Sequence, residues 1–312
     1  MLGISTCWWA ERSLQGDEIV SDIQELGLGG AELEYRVTYA LYQQMRPHLN
    51  RQVKVLSIHN FFPKPEERGA EKGSGDLFLL SSTDRDERSE AVKYTIRSIE
   101  HAAELESRAV ILHLGRVDMS NPIEGFRELY ASGKIEKSEG LDFLNEQREI
   151  RKKKYQKNLD AVLFSLDKLT HEAEREGIFL GIENRYYFHE IPDFDEIGII
   201  LRSFEGGRIG YWHDVGHAAI QEKLGICRQT ELLEAYSERM IGIHLHDASG
   251  LDDHFAPGQG EINFEAIMPF VKPNLVKILE VHAKAERESL IKGIQFIKKE
   301  IGDMTPQVSN DV

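Results

Sequence analysis

The chain has 312 residues, 41% of them hydrophobic and 29% charged, with a formal net charge of −15. These values exclude a disordered or fibrous chain and describe a globular protein long enough for one extensive core. So acidic an average surface repels polyanions and gives bulk charge no part in nucleic-acid binding, and no apolar run approaches the roughly 20 residues of a bilayer-spanning helix.

In chain order, the first strand-like run is Leu2 to Cys7, entered without the basic, apolar and small-residue zones of a signal peptide. A cytoplasmic protein without a membrane partner is therefore expected, and the two cysteines, Cys7 and Cys227, are too few for a disulfide framework or a thiolate zinc site. Helical period follows over Asp17 to Leu26, then strand-like runs at Gly30 to Glu34 and Val53 to His59. After a Gly-, Pro- and charge-rich segment, Phe61 to Ser82, a helix is predicted over Asp84 to Leu105 and a strand over Ala109 to Leu114. Arg116 to Asn158 is long and strongly charged, and its basic run Arg151 to Lys154 reads as a solvated helix face. The rest alternates: helix Leu159 to Arg175, strand Ile178 to Glu183, helix Phe194 to Phe204, strand Ile209 to Asp214, helix Thr230 to Arg239, strand Met240 to His246, strand Val276 to Val281 and helix Arg287 to Glu300.

Several strand runs are apolar throughout, as parallel strands covered on both faces require. Eight such βα units without a Gly-x-Gly-x-x-Gly after the first strand predict an α/β fold, a single-domain (β/α)8 TIM barrel over 1–302 with insertions at about 61–82 and 116–158. Residues 303–312 are expected to form a flexible tail. Both insertions follow a strand and would rise over the same mouth.

The residues at which the strand runs stop are rich in metal-ligand types: His59, His113, Glu183, Asp214, His244 and Glu280. His217 stands three residues past Asp214, and Asp252 and His254 lie in the loop after the seventh strand. Strand ends of a parallel barrel converge on one mouth. Carboxylates buried together there cost several kcal/mol unless a cation neutralises them, and imidazole with carboxylate is the usual donor mix for Zn²⁺, Mn²⁺ or Co²⁺. His213, next to Asp214, should face away from the mouth.

The strings Ser57-Ile-His59, Ile111-Leu-His-Leu-Gly115, Gly181-Ile-Glu-Asn184, His213-Asp-Val-Gly-His217, Ile243-His-Leu-His-Asp247, Asp252-Asp-His-Phe-Ala-Pro-Gly-Gln-Gly260 and Ile278-Leu-Glu280 resemble the xylose-isomerase-like barrel superfamily. That superfamily joins sugar and sugar-phosphate isomerases and epimerases to zinc-dependent apurinic endonucleases. The resemblance implies a metal core of Glu183, Asp214, His244 and Glu280. His59, His113, His217, Asp252 and His254 match the five further ligands of the endonuclease branch. One to three ions are implied, zinc or manganese, with cobalt and magnesium also compatible.

Two chemistries follow. In isomerisation or epimerisation of a carbohydrate or sugar phosphate, Glu183 and Glu280 would move a proton and His217, Arg185, His246, Arg116 and Lys284 would contact substrate, with Trp8 and Trp9 either walling the ring or simply packing. In phosphodiester hydrolysis, two or three ions would act on abasic DNA, the only nucleic-acid partner foreseen, with Phe61 and Phe62 either a wedge beside DNA or, as an aromatic pair in a loop more often is, packed against the barrel. The acidic Glu32-Leu-Glu34 at the second strand end speaks against a DNA-binding mouth. The first chemistry is the preferred expectation, and the chain is left open to homo-oligomerisation.

Overall fold

A computed structural model of the chain describes residues 1–303 except 11, 13 and 67–72. Its strands are β1 (Leu2–Ser5), β2 (Gly30–Leu33), β3 (Lys54–His59), β4 (Ala109–Leu112), β5 (Phe179–Glu183), β6 (Ile209–Asp214), β7 (Met240–Leu245), β8 (Asp247–Ser249), β9 (Asp252–Phe255) and β10 (Val276–Leu279). All but β8 and β9 close into a parallel barrel in the order β1-β10-β7-β6-β5-β4-β3-β2, so the predicted (β/α)8 barrel is the fold. β8 and β9 form an antiparallel hairpin on the loop after β7.

Strand ends differ from the predicted limits by a few residues, because Thr6–Trp9 turns into a 3-10 helix and Asp247 begins the hairpin. The helices follow local chemistry. Asp84 caps Arg85–Glu104 by accepting from the N–H groups of Asp86 and Glu87, and Gly177, at φ 73°, stops Tyr155–Glu176 in the left-handed conformation that glycine adopts without strain. Of the predicted tail, Asp303 belongs to the last helix, Arg287–Asp303, and 304–312 lie outside the described residues.

The barrel interior beneath the mouth is apolar. Trp212 fills it together with Ala109, Ile111 and Ile278. Gly242 is obligatory there, since a Cβ would lie 2.1 Å from the indole. The Trp212 ring meets the His244 ring edge-on at 5.1 Å and so forms the floor of the site.

The 116–158 segment folds into two helices, Ile123–Ala131 and Ser138–Lys152, before Tyr155–Glu176 begins. Arg151 corrects the reading of its basic run: Lys152, Lys153 and Lys154 are exposed, but Arg151 is 5% exposed. It holds Glu196 through two nitrogens at 2.8 and 2.7 Å and Asp193 at 2.6 Å, and it donates to the carbonyls of Phe188 and Glu190. Asp193 and Glu196 are also the two arms of a capping box that starts Phe194–Ser203. One arginine thus ties the insertion to the β5 loop and the next helix.

Candidate metal and active site

Register brings the predicted donors together. Asp214 pairs across β6 and β7 with His244, Ile278 on β10 is also level with His244, and Glu280 follows two residues later. Asp214 has a second duty, since its Oδ1 accepts from the His217 N–H at 2.7 Å and caps Val215–Lys223. The spacing Asp214-Val-Gly-His217 is therefore that of an N-cap and its third helical residue, which swings His217 over the mouth. Gly216 is needed because a Cβ would lie 2.1 Å from the His246 ring. Asn184 locks β5 to β6 by accepting from the Asp214 N–H at 2.8 Å and donating to the Asp214 carbonyl at 2.9 Å.

Glu183, Asp214, His244 and Glu280 are buried, with ligand atoms all within 4.8 Å of one another. His244 Nδ1 lies 2.7 Å from Glu183, 3.0 Å from Glu280 and 3.6 Å from Asp214. A ring nitrogen has at most one proton to give, so three carboxylates cannot all be satisfied by it. Burial would raise Glu183, yet hydrogen bonds from His113, His244 and His59 hold it well below the usual carboxylate range. Asp214 is likewise held low against burial by His217 and His246, and Glu280 by His244.

The surrounding imidazoles are oriented from behind. The Nδ1 atoms of His59, His217 and His254 lie 3.1, 3.0 and 3.0 Å from the carbonyls of Asn60, Asn184 and Glu280. His113 Nδ1 meets Asp76 at 3.0 Å. That leaves Nε2 of each ring for the mouth: His113 at 3.0 Å and His59 at 3.8 Å from Glu183, and His217 and His254 each 3.8 Å from Asp253. A ring with one nitrogen tied to an oxygen acceptor and the other turned to carboxylates is the arrangement of a metal-ligating histidine. Three further groups result: His59, His113 and Glu183; His217, Asp253 and His254; and His246, His254 and Glu280. The donor chemistry fits a divalent ion. Burial and Arg185 pull His113 down, but Asp76 and Glu183 outweigh them and raise it to about 9.

The structure corrects several sequence expectations. Asp253, not the exposed Asp252, faces His217 and His254; both aspartates line the cavity. His246 is fully buried and outside the cavity lining: its Nδ1 accepts the His254 N–H at 2.9 Å and its Nε2 donates to Asp214 at 2.9 Å. Trp8 packs in the core at 1% exposure and donates to the Ala285 carbonyl. Arg116 and Lys284 are exposed and outside the cavity lining. Arg185 does line the cavity, but Glu183, Glu190 and Asp76 already hold it at 3.0, 3.0 and 3.3 Å. Phe61 and Phe62, at 0% exposure, belong to the core and form no wedge. His213 bonds Tyr211 and lies outside the cavity lining, as foreseen.

The cavity measures about 360 Å³, within the roughly 300–1,000 Å³ of small-molecule pockets. Tyr35, Tyr186, Tyr187, His282 and Arg127 of the insertion also line it. Tyr35, Tyr186 and Tyr187 carry no spacing signal, because they lie in loops, and Arg127 lies in a segment with no predicted element. Burial pulls His282 down to about 2, so its ring is neutral. A larger cavity, about 410 Å³, lies between Ser138–Lys152 and the β5 loop, but the converging donors are in the smaller one.

A family profile described as xylose isomerase-like TIM barrel matches residues 20–300, and the chain belongs to that family. Among solved structures it is similar to a D-tagatose 3-epimerase-like protein, with TM-score 0.63, 20% identity and 97% of each chain covered. The 3-keto-D-glucoside 4-epimerase of E. coli aligns with TM-score 0.66 at 14% identity, over 96% of this chain and 98% of that one. The IolI protein, crystallised with a zinc atom, aligns with TM-score 0.62 at 13% identity, over 97% and 96%. At these identities the likeness establishes the shared fold. No curated protein matches the sequence.

Proposed function

We propose that the chain is a divalent-metal-dependent isomerase or epimerase acting on a carbohydrate or sugar phosphate by proton transfer. The observation that carries this reading is the convergence of Glu183, Asp214 and Glu280 on one nitrogen of His244 in a fully buried cluster. That the solved structures of like fold include sugar epimerases supports it. Glu183, Asp214, His244 and Glu280 would hold the ion, and the histidines of the three further groups add capacity for others. A bound divalent ion supplies a Lewis acid that acidifies a carbon next to a carbonyl.

The chain's own residues do the rest. Glu183 and Glu280 lie on β5 and beyond β10, so a sugar carbon between them presents one face to each carboxylate, one to remove a proton and the other to return it. His217, oriented through Asn184, holds a substrate hydroxyl, while Tyr35, Tyr186 and Tyr187 exclude water from the reacting carbon. Incubating the protein with free and phosphorylated aldoses and ketoses in D₂O tests this directly. Deuterium should enter one carbon beside a carbonyl as the epimer or isomer forms, and product formed without exchange against any tested sugar would refute proton transfer to a solvent-exchanging group.

The three further ligand groups favour, on this one count, the multinuclear zinc hydrolase as the alternative. The burial of Phe61 and Phe62 weighs against it, whereas Glu32 and Glu34 are themselves buried and present no acid to DNA. Cleavage of duplex DNA at an abasic site by catalytic amounts of protein would reverse the order.

A further inference from the structure

Glu32 is an acid that packing does not explain. It is 0% exposed on β2, level with Ser5 of β1 and Ser57 of β3. Its Oε2 accepts from Ser57 Oγ at 2.8 Å and lies 3.1 Å from His244 Nε2, while Oε1 is buried without a hydrogen-bond partner. Leaving a buried acceptor unsatisfied costs on the order of 1–3 kcal/mol, more for a charged group. Among the described residues, the one ion-pairing group within reach of Glu32 is His244.

Resting on the metal-dependent reading above, we infer that Glu32 is the positioning residue that fixes His244 as a ligand through Nδ1. A neutral imidazole carries one ring proton, and a carboxylate at Nε2 draws that proton to itself. With an ion bound, the Nδ1 proton that meets Glu183 would be displaced, and the Nδ1 lone pair would be free for the cation that Glu183, Asp214 and Glu280 surround. The Ser57 hydroxyl aims Oε2 at the ring, and Trp212 supports the ring edge from below. His59, His217 and His254 have neutral carbonyls in the corresponding place; the anionic partner of His244 makes it a more basic ligand than these. The signal in the sequence is Glu32 itself, a charged residue in an otherwise small and apolar run, Gly30-Ala-Glu-Leu33.

A purely structural Glu32 would tie β2 to β3 through Ser57, and its loss would lower stability while leaving metal affinity alone. The two roles separate in a metal titration of the full chain after stripping, with Zn²⁺ and Co²⁺ competed against a chromogenic chelator. Glu32→Gln keeps an acceptor and the volume but loses the charge; Glu32→Ala loses all three. The Zn²⁺ dissociation constant should weaken about tenfold in the first and toward a hundredfold in the second, with the Co²⁺ visible spectrum altered in Glu32→Ala. Wild-type dissociation constants in both variants, with only a lower melting temperature, would overturn the positioning role and leave the metal reading standing. Failure of the wild type to bind either ion would overturn both. Should Glu32→Ala not fold, the near-isosteric Glu32→Gln carries the comparison alone.

Discussion

Two buried clusters of charge in this barrel are built on opposite plans. Around Arg151, one guanidinium meets Glu196 and Asp193 with both fork nitrogens and spends its other donors on the carbonyls of Phe188 and Glu190. Every strong donor there has an acceptor. At the mouth, Glu183, Asp214 and Glu280 crowd one nitrogen of His244, with Glu32 behind it. The first cluster is complete as protein and holds an insertion in place; in the second, three carboxylates share one nitrogen of His244 and the buried Glu32 Oε1 has no hydrogen-bond partner. Buried acid alone marks neither structure nor function, whereas the balance of donors against acceptors tells them apart.

That contrast can be broken by experiments of decreasing effect. Glu183→Gln should lower turnover by roughly 10²- to 10⁴-fold or more with the fold intact, measured by steady-state kinetics on the identified sugar. Arg151→Ala should cost about 3–5 kcal/mol of unfolding free energy in denaturant titrations, because it strands Glu196, and it should leave metal affinity within error of wild type. Stripping the ion should abolish activity and remove about 2.7 kcal/mol of stability relative to protein at a hundredfold excess over the dissociation constant, read from the shift in melting. A mouth and an arginine cluster that respond alike to these changes would erase the distinction.

Smaller effects sharpen it. Against burial, Asp76 and Glu183 raise His113 from an ordinary 6.5 to about 9. Its proton therefore contributes stability that is fully present below about 6.5 and is lost as pH rises through about 9. Metal binding has the opposite slope, since the ion must displace that proton, so affinity at this group should climb toward pH 9 in calorimetric titrations. Arg116→Ala and Lys284→Ala, both exposed and away from the cavity, should change KM by less than about twofold and stability by less than about 0.5 kcal/mol. A tenfold rise in KM from either would place it against substrate.

The fold was legible because each strand is a short apolar run between helical periods, and the donors were legible because they end those runs. What escaped had physical reasons. Asp76 reaches His113 from an irregular insertion where no spacing predicts facing, and Arg127 lies on a helix inside the charged segment, where no element is predicted from sequence. Asp252 and Asp253 are adjacent in a hairpin with a register shift, where alternation no longer tells which side chain faces His217. His246 shares the inward side with His244 as alternation predicts, yet burial and the bond to Asp214 make it a support and not a substrate contact. Burial of Trp8 is invisible in a Trp-Trp pair at a strand end.

The central claim is that the excess of acid at the mouth is matched by a divalent ion. Elemental analysis of the purified protein, wild type beside Asp214→Ala and His244→Ala, measures it most directly. We predict at least one zinc, manganese or cobalt per wild-type chain and a loss of one equivalent in each variant that still folds. A metal-free wild type with full sugar-converting activity, or the same metal content in all three proteins, would contradict it.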